Sequence, residues 1–249
     1  MKFSIVIPAY NESDKIINTL SNVVSFMDYF NPDYEVLVCN DGSVDSTASL
    51  VRDFSKEHPK IKLVDNSHRG KGPTIWSGVM TAEGDFIYVA DADLSAPMSE
   101  LKKMYVWISE QNYDLVIASR EGIGANRVGE PFYRHLMGRI FNLLVQSVLL
   151  PGIKDSQCGF KLFKKDAAKQ LFAKLKVYGP EALEIKDAYL GAFDVEVLYI
   201  AKKLGFRVKE VPVTWQYVKT TRLNPIADSL KMARDVLLVK INYSKGVYK

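Results

Sequence analysis

Apolar and polar positions follow two different periods over the first 120 residues. The runs FSIVIP, YEVLVCN, IKLVDN, DFIYVADAD and YDLVIASR are short, rich in β-branched residues and bounded by Asp, Asn, Gly or Pro, which predicts strands. Between them, residues 13–28, 44–57, 72–82 and 98–110 are amphipathic at helical spacing, with Ser13 and Ser43 as expected N-caps of the first two helices. Such alternation predicts an α/β fold, a mostly parallel sheet flanked by helices. The second half is less regular. A helix is expected near 131–150, another near 188–204, and a strand in FRVKEVPVTW. The closing segment, 224–241, puts Ile226, Leu230, Ala233, Leu237 and Ile241 on one helical face. With no internal repeat or linker, the organisation expected is one domain over 1–215 and a C-terminal amphipathic helical appendage over 216–249.

The bulk numbers narrow the class. At 249 residues, 47% hydrophobic and 25% charged, the chain suits a soluble globular protein with a sizeable core. Two cysteines, Cys39 and Cys158, cannot make a disulfide framework, and Cys39 inside an apolar strand reads as a buried thiol in a reducing compartment. No run is long and apolar enough to span a bilayer, and no signal peptide is expected. The stretch IFNLLVQSVLLPGI reads as a buried or interfacial helix. From Lys219 onward seven basic residues face two aspartates, although the whole chain carries only +4. That excess points the C-terminal end toward something anionic. A nucleic-acid partner is not expected, and the oligomeric state is left open.

Candidate chemistry gathers at the strand ends. In open parallel sheets ligands bind beyond the carboxyl ends of the strands, and these carry PAYNE (8–12), NDGS (40–43), DAD (91–93) and SR (119–120). Each alone reads as a turn; four on one sheet edge point to a shared pocket. Asp91 and Asp93 are costly to hold together at a buried strand end unless a cation offsets them, and oxygen ligands favour Mg²⁺ or Mn²⁺. The alternative is a capped helix start through Asp93 or Ser95. SHRGKGPT (67–74) sets Arg69 and Lys71 among glycines, either a phosphate-binding turn with open amides or an exposed basic loop; it is not a P-loop. Arg127, Arg134 and Arg139 cluster in RVGEPFYRHLMGRIFN; Arg134 and Arg139, five apart, share no tight helical face, and the readings are convergence of several arginines on one phosphate or a solvated helix face. No nucleophilic Ser–His or Cys–His pairing stands out, and His135 reads as a surface residue.

Taken in order, IVIPAYNE, CNDGSVDST, RGKG, DAD and ASR resemble the family-2, GT-A-type glycosyltransferases, and within them the polyprenyl-phosphate sugar synthases. DSQCGFKLF (155–163), GAFDVEVLYIA (191–201) and VPVTWQYVKTTRLNPIADSLKMARDVLL (211–238) are more similar to the dolichyl-phosphate glucosyl-transferring members than to the mannosyl-transferring ones. The resemblance implies a GT-A, Rossmann-like sheet and transfer of a hexose, glucose from UDP-glucose, to a dolichyl or other polyprenyl phosphate by a peripheral enzyme on the cytoplasmic face of a membrane. It also implies that Pro8, Ala9, Tyr10, Glu12, Cys39, Asp41, Lys71, Asp91, Ala92 and Arg222 hold the nucleotide. Asp91 and Asp93 would carry Mg²⁺ or Mn²⁺, with Asp93, Arg120, Arg134 and Arg139 acting on the reacting phosphates. Asn40 departs from the acidic pair usual at the second strand end, Ser95 stands where mannosyl-type members often place glutamine, and Asp155 and Glu196 are left between a structural and a catalytic role. The alternatives are a GDP-mannose enzyme, a transferase with a soluble acceptor, a nucleotidyltransferase, disfavoured because IPAYNES has no glycine, and a non-catalytic sugar-nucleotide binder.

Overall fold

A computed structural model describes residues 1–186, 189, 191–218 and 225–248, with backbone alone at 225–227. The chain begins with β1 (Phe3–Ala9), α1 (Ile16–Phe30), β2 (Tyr34–Asp41), α2 (Thr47–Glu57), β3 (Ile61–Asn66), α3 (Lys71–Thr81), β4 (Phe86–Val89), α4 (Glu100–Ser109) and β5 (Leu115–Ser119). There follow β6 (Asn126–Val128), α5 (Phe132–Val148), β7 (Lys161–Lys164), α6 (Lys165–Ala173), α7 (Phe193–Lys203), β8 (Val208–Pro212), β9 (Thr214–Gln216) and α8 (Pro225–Ser244). The main sheet has the order β3-β2-β1-β4-β7-β5-β8 among the described residues. Only β7 runs against its neighbours, between β4 and β5; β6 and β9 form a separate parallel ribbon. The expected strand FRVKEVPVTW divides into β8 and the start of β9, while β6 and β7, three and four residues long with basic residues inside them, carry no strand period.

Pleating sends alternate side chains to opposite faces. Val6 and Leu37 meet Ile75 and Val79 of α3, with Phe172, Val197 and Val236 in the same core. Ile5, Ile7, Val36 and Val38 meet Leu20 and Val23 of α1 and Leu101 and Met104 of α4. The two-faced burial accounts for the near-continuous apolar runs of β1 and β2.

The helices fall close to their predicted spans, but the two N-caps do not. α1 starts at Ile16 after Lys15, and α2 at Thr47 after Ser46. Ser43 Oγ instead accepts the Asn11 N–H at 2.9 Å, and the Ser13 N–H donates to Asp45 at 3.1 Å. Both serines belong to a knot that ties the loops after β1 and β2 together, so neither is free to cap.

α8 also differs from its sequence pattern. Val236 and Val239 are its core contacts, whereas Leu230 and Leu237, on the predicted apolar face, are exposed together with Ile241. Asp235 accepts the hydroxyls of Tyr178 and Tyr189, and α8 packs on α5 and α7. Ile226 lies outside the described side chains.

Candidate active site

The sheet order reverses direction between β1 and β4, the place where an open α/β sheet leaves a crevice at its carboxyl edge. Pro8 and Ala9 end β1 in register with Cys39 and Asn40 of β2. Past them the Glu12 N–H donates to Thr47 Oγ1 at 2.8 Å, and Asn11 Oδ1 accepts the Val44 N–H at 2.9 Å. Asn11 sits at φ 53°, in the left-handed region that asparagine tolerates. This wiring holds Tyr10 and Glu12 at the mouth of the crevice.

Asp41 is buried and its carboxylate is directed at the chain itself. It accepts the amides of Arg69 (2.9 Å) and Gly70 (3.0 Å) and the hydroxyl of Thr74 (2.8 Å), and lies 2.8 Å from His68 Nδ1. Two amides of the glycine-rich turn, those of Arg69 and Gly70, are therefore already bonded. Asp41 fixes the turn and the start of α3, and Gly70 adopts φ 90° there. The His68 ring stacks flat on Tyr10 at 4.0 Å. Cys39 lies under α3, its thiol pushed up to about 12 by burial.

Asp91 and Asp93 follow β4, with Ala92 buried between them and its carbonyl accepting the Thr19 hydroxyl. The tight turn puts Leu94 at φ 44°. Lys71 Nζ bonds Asp91 Oδ1 at 2.5 Å. Asp93 accepts the Ser95 N–H at 3.0 Å, and among the described residues no cation pairs with it directly. Burial, and then the charge of Asp91, raise its carboxyl above the ordinary value. Ser95 is buried and its carbonyl accepts the Gln216 N–H, so it serves the β9 junction. α4 starts only at Glu100, which removes the reading of Asp93 or Ser95 as its cap.

Two residues missed in the sequence complete this cluster. Lys161 on β7 is 1% exposed and bonds the carboxylate of Asp194, in the first turn of α7. The signal was slight: Lys161 stands between Phe160 and Leu162, and a lysine buried among apolar residues needs a partner. Three carboxylates, Asp91, Asp93 and Asp194, thus face two ammonium groups, Lys71 and Lys161. The residual negative charge, the oxygen donors and the elevated Asp93 fit a hard divalent cation, the third and further ligands coming from phosphate or water.

Beside this cluster lies a cavity of about 220 Å³ reached by Lys71, Asp194 and four arginines. Arg120 forms a two-pronged pair with Asp155 at 2.8 and 2.9 Å and stacks on Trp215. Burial would raise the Asp155 carboxyl, but Arg120 holds it far below the usual range. Arg127 is engaged by Glu121 and Glu130. Arg139 donates to the Lys154 carbonyl at 2.9 Å and lies 3.5 Å from Glu121. Arg134 packs on Tyr217 at 5.1 Å, and among the described residues no carboxylate pairs with it. Glu196 is remote and structural: it accepts the amides of Lys176, Val177 and Tyr178 and the Tyr248 hydroxyl. Arg222 lies outside the described residues.

The profile of glycosyl transferase family 2 matches residues 4–172. Dolichyl-phosphate beta-glucosyltransferase of Dictyostelium discoideum is 30% identical over 99% of this chain and 76% of its own length. The fold is that of glucosyl-3-phosphoglycerate synthase from Mycobacterium tuberculosis, solved with Mn²⁺, UDP and phosphoglyceric acid. The TM-score is 0.63 at 18% identity, over 97% of this chain and 78% of that one. A mannosyltransferase from Pyrobaculum calidifontis, solved with GDP-Man and Mn²⁺, aligns at TM-score 0.57 and 21% identity, over 88% of this chain and 57% of its own length.

Proposed function

The chain belongs to glycosyl transferase family 2, and on that premise we propose that it transfers glucose from UDP-glucose, with inversion, to a dolichyl or other polyprenyl phosphate at a membrane surface. One observation carries this reading: the acidic pair at the end of β4 adjoins an arginine-lined cavity containing a cation, Arg134, that has no carboxylate partner among the described residues. One pole suits a metal-bound diphosphate and the other a phosphate acceptor. Similarity to the dolichyl-phosphate beta-glucosyltransferase over 99% of this chain supports the choice of donor and acceptor.

In this mechanism an acceptor phosphate oxygen attacks the anomeric carbon while the bond to the departing diphosphate breaks on the opposite side. A phosphate is already anionic at neutral pH, so the step needs no general base. The carboxylates around the cavity agree with that: Asp155 is engaged by Arg120, Glu121 and Glu130 by Arg127, Asp194 by Lys161, and Asp228 lies 3.8 Å from Lys231. Arg134, with Arg139 and Arg120 beside it, holds the acceptor phosphate in line and stabilises charge as it redistributes. Asp91 and Asp93 would hold Mg²⁺ or Mn²⁺, which when bound neutralises charge on the leaving diphosphate. Tyr10, Glu12 and the backbone at Pro8, Ala9 and Cys39 border the nucleoside, with Asp41 shaping the turn beside it.

The lipid acceptor calls for a membrane-facing surface. No helix among the described residues is long and apolar enough to cross a membrane. α5, however, turns an apolar stripe outward: Phe132 is 78% exposed, Leu136 48%, Ile140 62% and Leu143 68%. These positions share one helical face, whereas Phe141 and Val145 face the core. Stripes of this kind mark an interaction surface, and Arg134 and Arg139 sit on the same helix. Leu230, Leu237 and Ile241 of α8, with Lys231, Arg234 and Lys240, extend the same character into the basic segment 216–249. We assign both helices to a peripheral, cytoplasm-side membrane contact.

A donor screen with short-chain polyprenyl phosphate and Mg²⁺ or Mn²⁺, the lipid product identified by mass, tests the assignment. A hexosyl phosphate lipid formed from UDP-glucose is expected. Turnover with GDP-mannose alone would overturn the choice of glucose, and full activity of Asp93→Ala would remove the metal role.

A further inference from the structure

Lys71 belongs to both halves of the site: it lines the cavity and bonds Asp91. Asp91 has one closed side and one open one, its side chain being 24% exposed. Its carboxylate lies against Gly159, where an added Cβ would come within 2.2 Å of Oδ2 and 2.6 Å of Oδ1, so that side is closed. On the remaining side Oδ1 already holds the ammonium. A divalent ion on this carboxylate sits close to the Lys71 ammonium, and the two cations repel.

The two lysines of the cluster are held differently. Lys161 is enclosed between Asp194 and the Cys158 carbonyl and has nowhere to go. Lys71 lies at the cavity wall, in the field of Asp194 and Asp93 as well as of its partner Asp91. Its ammonium is 5.9 Å from the Phe193 ring, a further cation-stabilising surface beside Asp194. Other acceptors are therefore within its influence when Asp91 is taken from it.

We propose that Lys71 is an exchangeable internal cation: it neutralises Asp91 while no donor is bound, then cedes that carboxylate to the incoming metal ion and moves onto the diphosphate oxygens on the cavity side. The idea rests on the donor-and-metal reading above. Only ionic contacts change, and charge balances, since the dication replaces the ammonium and the ammonium meets the anion that arrives with it. Metal alone must expel Lys71 with no anion to receive it. Diphosphate alone must draw Lys71 from a carboxylate left without a cation. Together each removes the other's cost, so the two bind with reciprocal positive coupling.

Calorimetric and paramagnetic titration of the full chain with Mn²⁺, with and without UDP, tests the exchange in wild type, Lys71→Met and Lys71→Gln. In wild type, UDP is expected to tighten Mn²⁺ on the order of 100-fold. Both variants should bind Mn²⁺ alone about tenfold more tightly than wild type, the worth of one displaced ion pair, and should show a correspondingly smaller enhancement by UDP, the remainder coming from direct contact of metal and diphosphate. Lys71→Gln keeps a polar neighbour for Asp91 and guards against a folding defect in Lys71→Met. Metal-only affinity in both variants at or below that of wild type overturns the exchange. If wild type meanwhile binds Mn²⁺ and UDP together, the donor site stands without it. If wild type binds Mn²⁺ under neither condition, the metal reading fails and the exchange falls with it.

Discussion

Asp91 can lie where it does because residue 159 has no side chain. An alanine Cβ there would collide with its carboxylate at 2.2 Å, so Gly159→Ala must displace Asp91 or shift β7. Overpacking of this kind costs about 1–3 kcal/mol. The variant should remain folded by circular dichroism yet lose Mn²⁺-dependent UDP binding; unchanged binding would mean that the seat of Asp91 is not the metal seat. Asp155 shows the opposite dependence, on a partner. Asp155→Asn leaves Arg120 without its counter-charge in a site where Asp155 is buried, and should cost about 3 kcal/mol in denaturant unfolding. In wild type the depressed carboxyl contributes stability above the unfolded value of about 3.9, and that contribution is lost as pH falls through the lower folded value. Asp155→Asn should therefore narrow the difference in melting temperature between pH 6 and pH 3. Sequence reading found Asp91 and Asp93 because a strand ended in two charges, yet it left Asp155 open. A carboxylate's partner, here 35 positions away, is fixed by packing rather than by spacing.

Among the elements, α8 shows how far periodicity reaches. Apolar residues at helical spacing marked the helix correctly, but α8 carries apolar residues on two sides, and the pattern does not tell which side meets the core. Val236 and Val239 do, because the adjoining Asp235 is drawn inward by the hydroxyls of Tyr178 and Tyr189. Val236→Ala should therefore destabilise the protein by about 2 kcal/mol. Leu237→Ser, one position along and half exposed, should stay within about 0.5 kcal/mol. Thermal melts of the pair decide it: equal losses would mean that the outward side of α8 is also covered in solution. The caps of α1 and α2 failed for a related reason. Serine signals a helix start only when its hydroxyl has no better use, and at Ser43 the Asn11 amide claims it.

At the scale of the molecule, the strand–helix order of the first half was readable because each unit is local, and the polar strand ends then fell on one sheet edge. The cavity was not readable. Its walls come from the stretch between β5 and β7, from α7 and from α8, and the reversed strand β7 that brings Lys161 to Asp194 is only four residues long. The outward face of α5 follows from that assembly, since once Phe141 and Val145 have turned inward the apolar residues opposite have no protein to cover them. If that face seats the enzyme on a bilayer, catalysis and membrane contact can be separated. The triple variant Leu136→Ser, Ile140→Ser, Leu143→Ser removes three apolar side chains from the contact, about 3 kcal/mol of partitioning and hence roughly 100-fold in vesicle affinity. Flotation with vesicles containing anionic lipid should fall accordingly. Turnover of a short, water-soluble polyprenyl phosphate should persist, while turnover of a long-chain acceptor embedded in vesicles should drop. Equal loss on both acceptors would place the stripe in the catalytic fold instead, and undiminished flotation would leave the basic segment around α8 as the membrane contact.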